Sequence, residues 1–461
     1  SIRSLYPKLE IEGGAGVRPH KNSINNYCYP ENPEAGIDLF LEKLVQETEK
    51  EHEDILEQAD ETDAVFGELY SWYLRNPEYR SRVQKLVQSA FAGKPEDIIS
   101  QSVAKALYGE VSPYSATRLE RFAACAFAHF LQYGMKLTER VEYEFKPMDM
   151  GNVMHEALES FAEEVRKRGM KWTELTEQER NEIADRCLDN IVADYGNTVL
   201  KSSARNEYMI ERTRRILRRT VWALQKQLEQ GEFQPEGFEV TFGGGRIDRV
   251  DIMEDQNKVY VKVIDYKTGN TSFDLVYLYH GLQLQLMVYL DGALRVEQKK
   301  YPDKEIIPAG VFYYNIKDPM IQEKIDADVE AVSAGLMKEL KMNGLVQADP
   351  ELVYRMDSSL GSIPVAFNKD GSFRKNSSVA DRTQFAVLGR YVRTKIEKIR
   401  SSILEGDAEV SPYELGKKNA CTYCPYMTVC GFDRRLSGYE FRRLKNFSDE
   451  ELWKAFDREA E

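Results

Sequence analysis

Residues 246–267 read RIDRVDIMEDQNKVYVKVIDYK, with Arg246 at one end and Lys267 at the other. Two strand-like runs, Arg246–Ile252 and Val259–Lys267, flank the turn-like Glu254-Asp255-Gln256-Asn257-Lys258. Side chains alternate across a strand. Val259, Val261, Val263, Asp265 and Lys267 therefore share one face of the second run, and Asp248, Val250 and Ile252 share one face of the first. Folding the pair about Gln256-Asn257 sets Asp248 opposite Asp265, and cross-strand partners sit about 4.5–5.5 Å apart. The register is the weak link, because a slip of one residue turns every side chain to the other face.

Two carboxylates on one face beside valines repel each other and resist burial. A divalent cation compensates. Mg²⁺ (or Mn²⁺) favours carboxylate oxygens and keeps water at hand. Lys267, two residues after Asp265 on the same face, adds a cation that can position or deprotonate a water, or stabilise charge in the transition state. Asp, then Asp-x-Lys, is a minimal set for metal-assisted phosphodiester hydrolysis. The bland alternative is a polar strand end with a surface ion pair, against which stands the valine run leading into Asp265.

Other residues extend the candidate site. His155 lies on a helix starting at Gly151, beside the stripe Met154, Leu158, Phe161, and neutral imidazole is a common metal ligand. Glu239 precedes the run Gly243-Gly244-Gly245. Gln285 and Tyr289 are one turn apart on the helix after the hairpin. They can contact a phosphate or a base, or simply pack on the sheet.

Cys421, Cys424 and Cys430 form a C-x2-C-x5-C pattern. Thiols this close bind a metal or cluster more often than they pair in a reducing compartment. A fourth ligand can come from Cys28, Cys125 or Cys187, and both zinc and an iron–sulfur cluster accept four thiolates. Two basic stretches also stand out. Arg212, Arg215 and Arg219 lie near one helical face with Arg214 and Arg218 adjacent, and Arg434, Arg435, Arg442, Arg443 and Lys445 follow near the C-terminus. They suit a phosphate-backbone track, with a solvated helix face as the alternative.

The chain has 461 residues, 42% of them apolar and 30% charged, with a net charge of −13. That is too apolar for disorder and too acidic for a polycationic coat on nucleic acid. Six cysteines do not make a disulfide framework at this length. No run reaches the roughly 18–20 apolar residues of a membrane span, and the first residues lack the apolar centre of a secretory signal. The expectation is a soluble, cytoplasmic protein, read as a fragment of a longer chain because it starts at Ser1. No GxxxxGK[ST] pattern occurs, so no ATP hydrolysis is expected of it. Residues 1–111 read as mostly helical. From 112 to 461 helices flank β-rich stretches in the order of an α/β layer.

The motifs SATRLERFAACAFAHF, MGNVMHEAL, GGRIDRVD, VIDYKTG, LQLQLMVYLD, AGVFYYNIKDP and KKNACTYCPYMTVCGFD, in this order over residues 112–435, resemble the RecB-type nuclease family. Within it they look most like the nuclease region of the B subunits of AddAB helicase–nucleases. The resemblance implies a restriction-endonuclease-like fold of the PD-(D/E)xK kind, with a mixed central sheet between helices. It implies His155, Asp248, Asp265 and the Tyr266 carbonyl as Mg²⁺ ligands and Lys267 as the catalytic lysine. The family's Q-x3-Y pattern falls on Gln285 and Tyr289; a start at Gln283 would end at Met287. It implies a 4Fe–4S cluster on Cys125, Cys421, Cys424 and Cys430, closing the nuclease region at 421–430, with Cys28 and Cys187 as ordinary thiols. Residues 1–111 would then be the tail of a helicase-like region. The expected partners are DNA and an AddA-type subunit carrying the ATP motor, in the processing of double-strand breaks. A catalytically silent DNA-binding module and a stand-alone CRISPR-associated nuclease are the rival readings.

Overall fold

A computed structural model describes residues 61–90, 98–109, 114–138, 147–194, 203–321 except Gly244, and 328–460 except Ser437, with scattered positions between 33 and 44. The chain divides into two compact units, Ser1–Glu96 with Gly431–Glu440, and Asp97–Cys430 with Phe441–Glu461. In the first, helices α1 (Glu61–Arg75) and α2 (Pro77–Ala90) pack through Leu69, Tyr73 and Val83.

The second unit is built on a sheet whose strands follow chain order, β1 (Gln234–Phe242), β2 (Gly245–Asp255), β3 (Lys258–Lys267), β4 (Glu305–Asn315), β5 (Asn343–Gln347) and β6 (Val379–Ala380). The first three form an antiparallel meander, β3 and β4 run parallel, β4 and β5 antiparallel, and β5 and β6 parallel. This is the mixed sheet between helices that the sequence leads one to expect. The sheet is close-knit at β5: a Cβ on Gly344 would lie 1.9 Å from the Val311 carbonyl oxygen, so only glycine fits there.

Alternation along β2 and β3 divides the core. Val250, Ile252, Val259, Val261 and Val263 face one apolar layer, while Met253, Ile264 and Tyr266 face the other. The valine layer is covered by α3 (Gln101–Tyr108), α4 (Ala116–Ala124), and, from further along the chain, Gln285–Lys300, Arg382–Glu405 and Asp449–Ala460. The opposite layer is covered by α5 (Pro147–Lys167), α6 (Glu177–Asp194) and α7 (Ala204–Glu229). On α5 the stripe Met154, Leu158, Phe161 and Val165 recurs at helical spacing and is buried. Helix Gln285–Lys300, here α8, lies on β3 and β4 and makes the parallel crossover between them. Helix Arg382–Glu405, here α9, starts with a capping box between Asp381 and Gln384 and ends at Gly406 in the left-handed region.

Among the described residues no helix is long and apolar enough to cross a membrane. The chain's C-terminal part adds a small sheet of Tyr413–Leu415 with Lys418–Asn419 and Arg442–Arg443, which flanks the cysteine segment in sequence.

Candidate active site

The register of the hairpin decides whether the two aspartates meet. Pairing runs from Asp255 opposite Lys258 to Arg249 opposite Ile264. The turn is therefore Gln256-Asn257, with Gln256 at φ 46°, and the next rung sets Asp248 beside Asp265. One Asp248 carboxylate oxygen accepts the Tyr266 backbone N–H at 2.7 Å. The Tyr266 side chain points into the opposite layer, where it is buried.

β1 and α5 bring two more groups. Phe238 pairs with Arg249 and Val240 with Ile247, so Glu239 stands across from Asp248. Glu239 has φ 49°, a left-handed conformation inside a strand. Such a backbone costs about 1–3 kcal/mol and persists where the surroundings enforce it. Its carboxylate lies 3.8 Å from His155 Nδ1, and Asp248 lies 3.3 Å from the same nitrogen. Burial works against a charged imidazole, yet hydrogen bonds to Asp248 and Glu239 carry its pKa up to about 10.

Ligand atoms of His155, Glu239 and Asp248 all fall within 4.8 Å of one another. Asp265 adjoins them. Burial and then the Asp248 charge push its carboxyl up to about 7, against the pull of Lys267. Asp265 Oδ2 and Glu239 Oε2 are buried, and each meets a cation. Lys267 Nζ lies 2.5 Å from Asp265 Oδ2, and the Arg246 guanidinium pairs with Glu239 Oε2. Crowded carboxylates beside an imidazole fit a hard divalent cation such as Mg²⁺ or Mn²⁺.

Lys267 is gripped from both sides. Besides Asp265 it donates to Gln285 Oε1 at 2.7 Å, and Gln285 Nε2 donates to the Tyr289 hydroxyl at 2.9 Å. The Tyr313 ring lies 5.5 Å from its ammonium. Gln285 and Tyr289 thus form a relay that touches the lysine. Gln283 is used elsewhere, accepting from Asp274 N–H and donating to the Ser272 carbonyl.

Sequence reasoning did not single out two charged features. Glu120 on α4 accepts the backbone N–H groups of Leu284 and Gln285. On the sheet face opposite the aspartate pair, Asp251 is fully buried between Arg249, at 2.6 Å, and Lys262, at 2.8 Å. Burial alone would raise the Asp251 pKa; the two cations hold it below the usual carboxylate range. Trp172, Phe238 and Phe233 close over this ion triad. The triad was legible in principle: Arg249 and Asp251 alternate away from the valines, and Lys262 is the rung opposite Asp251.

Four cysteines gather at the end of α4. Cys125, which ends the helix, is buried, and Cys421, Cys424 and Cys430 are half-buried. Burial, followed by the neighbouring Cys125, Cys424 and Cys430, pushes the Cys421 thiol up to about 12. Among the described residues no three of these sulfurs lie within 4.8 Å of one another. A tetrahedral zinc with Zn–S near 2.3 Å needs sulfurs about 3.8 Å apart. Cys187 sits in the apolar layer under α5, where burial raises its thiol to about 11. Cys28 lies outside the described residues.

The basic stretches are largely engaged within the chain. Arg214 pairs with Asp189 at 2.6 Å, Arg215 with Asp318 at 2.6 Å, and Arg218 with Asp185. Arg219 lies over the Trp222 ring, and Arg212 is exposed. Near the C-terminus, Arg442 donates to the Ala123 carbonyl, Lys445 pairs with Glu451 and Arg435 with Asp433.

The family model of the PD-(D/E)XK nuclease superfamily matches residues 113–431. The chain belongs to this superfamily. It is also similar to proteins named as the B subunits of ATP-dependent helicase/deoxyribonucleases. That of Lachnoclostridium phytofermentans is 41% identical over 425 residues, covering 87% of this chain and 36% of the relative. Those of Thermoanaerobacter sp. and Clostridium acetobutylicum are each 33% identical, covering 99% of this chain and 42% of the relative. The chain thus spans about two fifths of the length of the curated relatives it matches.

Proposed function

We propose that this chain is the nuclease region of a helicase–nuclease B subunit and hydrolyses phosphodiester bonds in DNA with a divalent cation. The observation that carries the reading is Lys267, held between Asp265 and Gln285 beside the His155–Glu239–Asp248 cluster. His155, Asp248, Asp265 and the Tyr266 carbonyl, with Glu239 added, would hold the cation, which neutralises the crowded carboxylates and polarises a phosphoryl oxygen. An ammonium has three donors; Asp265 and Gln285 take two, which leaves one to orient a water or a phosphate oxygen. Tyr289 fixes the Gln285 amide so that this third donor keeps its direction. Asp248, held by the Tyr266 N–H, stays in place to receive positive charge. In the whole protein an AddA-type subunit would supply the ATP motor and deliver a DNA end.

The test is digestion of end-labelled single-stranded DNA with Mg²⁺ or Mn²⁺. Cleavage that stops on adding EDTA and returns with excess cation is expected. Cleavage indifferent to EDTA would overturn the metal reading, and none at all, even with an AddA-type subunit present, would overturn the nuclease reading.

We also read Cys125, Cys421, Cys424 and Cys430 as ligands of a 4Fe–4S cluster. Their mutual proximity supports this. Protein purified anaerobically should carry iron and sulfide in equal amounts. Cys125→Ser should lose both and melt at least about 5 °C lower. Stoichiometric zinc, or an unchanged Tm, would refute the assignment.

A further inference from the structure

α8 begins at Gln285, and the residue before it, Leu284, provides no side-chain cap. The first N–H groups of a helix have no partner within the helix. Two of them are nonetheless satisfied: Leu284 N–H donates to Glu120 Oε1 at 2.7 Å and Gln285 N–H to the same oxygen at 2.9 Å. A carboxylate there also meets the positive end of the helix dipole. The cap thus comes from another helix, 164 residues earlier in the chain.

The capped residue is the one that holds the lysine. Gln285 uses its backbone N–H on Glu120 and its side chain on Lys267 and Tyr289. We propose that Glu120 is a positioning residue: by capping α8 from α4 it fixes Gln285, and through Gln285 it fixes the Lys267 ammonium. The inference rests on the nuclease reading of Lys267 and assigns Glu120 no contact with substrate.

α4 is a firm base for such a cap. Ser115 caps its start, and apolar Leu119, Phe122 and Ala123 anchor its inner face. At its far end Arg442 donates to the Ala123 carbonyl, and Arg121 reaches Cys424 Sγ at 3.9 Å. Glu120 itself is half-buried. Desolvation pushes its carboxyl up to about 7, while the two backbone N–H groups and Lys267 pull the other way.

Four variants test the link: Glu120→Ala, Glu120→Gln, Gln285→Ala and the double Glu120→Ala/Gln285→Ala. Glu120→Ala should lower kcat on single-stranded DNA about 10- to 100-fold, the cost of a small misplacement at a reacting centre, with KM little changed. Glu120→Gln keeps an oxygen for both N–H groups and should stay within about five-fold of the parent. The double variant should be no slower than Gln285→Ala alone. Amide hydrogen exchange at Leu284 and Gln285 should quicken in Glu120→Ala and not in Glu120→Gln. Additive losses in the double variant, or exchange unchanged in Glu120→Ala, would overturn the proposal. A parent protein inactive under every condition fails the nuclease reading instead, and the exchange result still decides whether the cap exists.

Discussion

Asp265→Asn is expected to lower DNA cleavage at least about 1,000-fold, equivalent to about 4 kcal/mol of transition-state stabilisation, without unfolding the protein. On the proposed reading the carboxylate contributes to both halves of the site, as a ligand of the cation and as the ion-pair partner of Lys267 at 2.5 Å. An amide of the same shape keeps the packing and loses both charges' attraction. Stability should move the other way. Without a cation, Asp265 is buried and faces the Asp248 charge, which together push its pKa from 3.8 to about 7. A carboxyl raised on folding binds more protons in the native state than in the unfolded one. Its contribution to stability is full below the unfolded pKa and is lost as pH climbs to the folded value. In EDTA, then, the parent should weaken between about pH 4 and 7, and Asp265→Asn should lack that part of the slope and melt no lower at neutral pH. Paired digestion and pH-dependent melting curves check both halves. Cleavage within a few-fold of the parent would dismiss Asp265 from the site.

The second large effect lies on the other face of the sheet. Asp251→Ala leaves Arg249 and Lys262 buried without the carboxylate that pairs both. Removing one member of a buried ion group typically costs about 3–5 kcal/mol, because the remaining charge is uncompensated. Against a total of about 5–15 kcal/mol for a native domain, that is enough to shift a denaturation midpoint strongly. Urea unfolding followed by circular dichroism reads it directly. A loss below about 1 kcal/mol would place the triad in solvent-like surroundings, contrary to its burial. Replacing all three by apolar residues should be far milder than the single change, since no charge is then left behind.

What the sequence disclosed followed short-range rules. The turn at Gln256-Asn257 and the two-residue period of the valines suffice to bring Asp248 and Asp265 together. Helical spacing suffices for the buried stripe on α5 and for Gln285 and Tyr289 on one face of α8. What escaped depends on contacts between distant elements. On α7, Arg214, Arg215 and Arg218 find partners in Asp189, Asp318 and Asp185, which lie far off in the sequence. Glu120 reads as one more polar residue on an amphipathic helix until α8 docks on it. The position of Glu239 depends on a left-handed backbone angle that no residue pattern announces.

The ion triad has a consequence for how β2 finds its place on β3. A ladder of Val259, Val261 and Val263 against Val250 and Ile252 is nearly degenerate: sliding one strand by two residues offers the same apolar face again. Such a slide moves side chains by about 6.6–6.8 Å. The valines would hardly register the difference, but Asp251 would leave Lys262 and meet Tyr260 or Ile264 instead. A slide of one residue would thrust Arg249 and Asp251 among the valines. The buried charges therefore work as a vernier, reinforcing the alignment that the two-residue turn sets among apolar near-equivalents. Asp248 and Asp265 are neighbours in that alignment alone, so the chemistry on one face of the sheet is indexed by charges on the other.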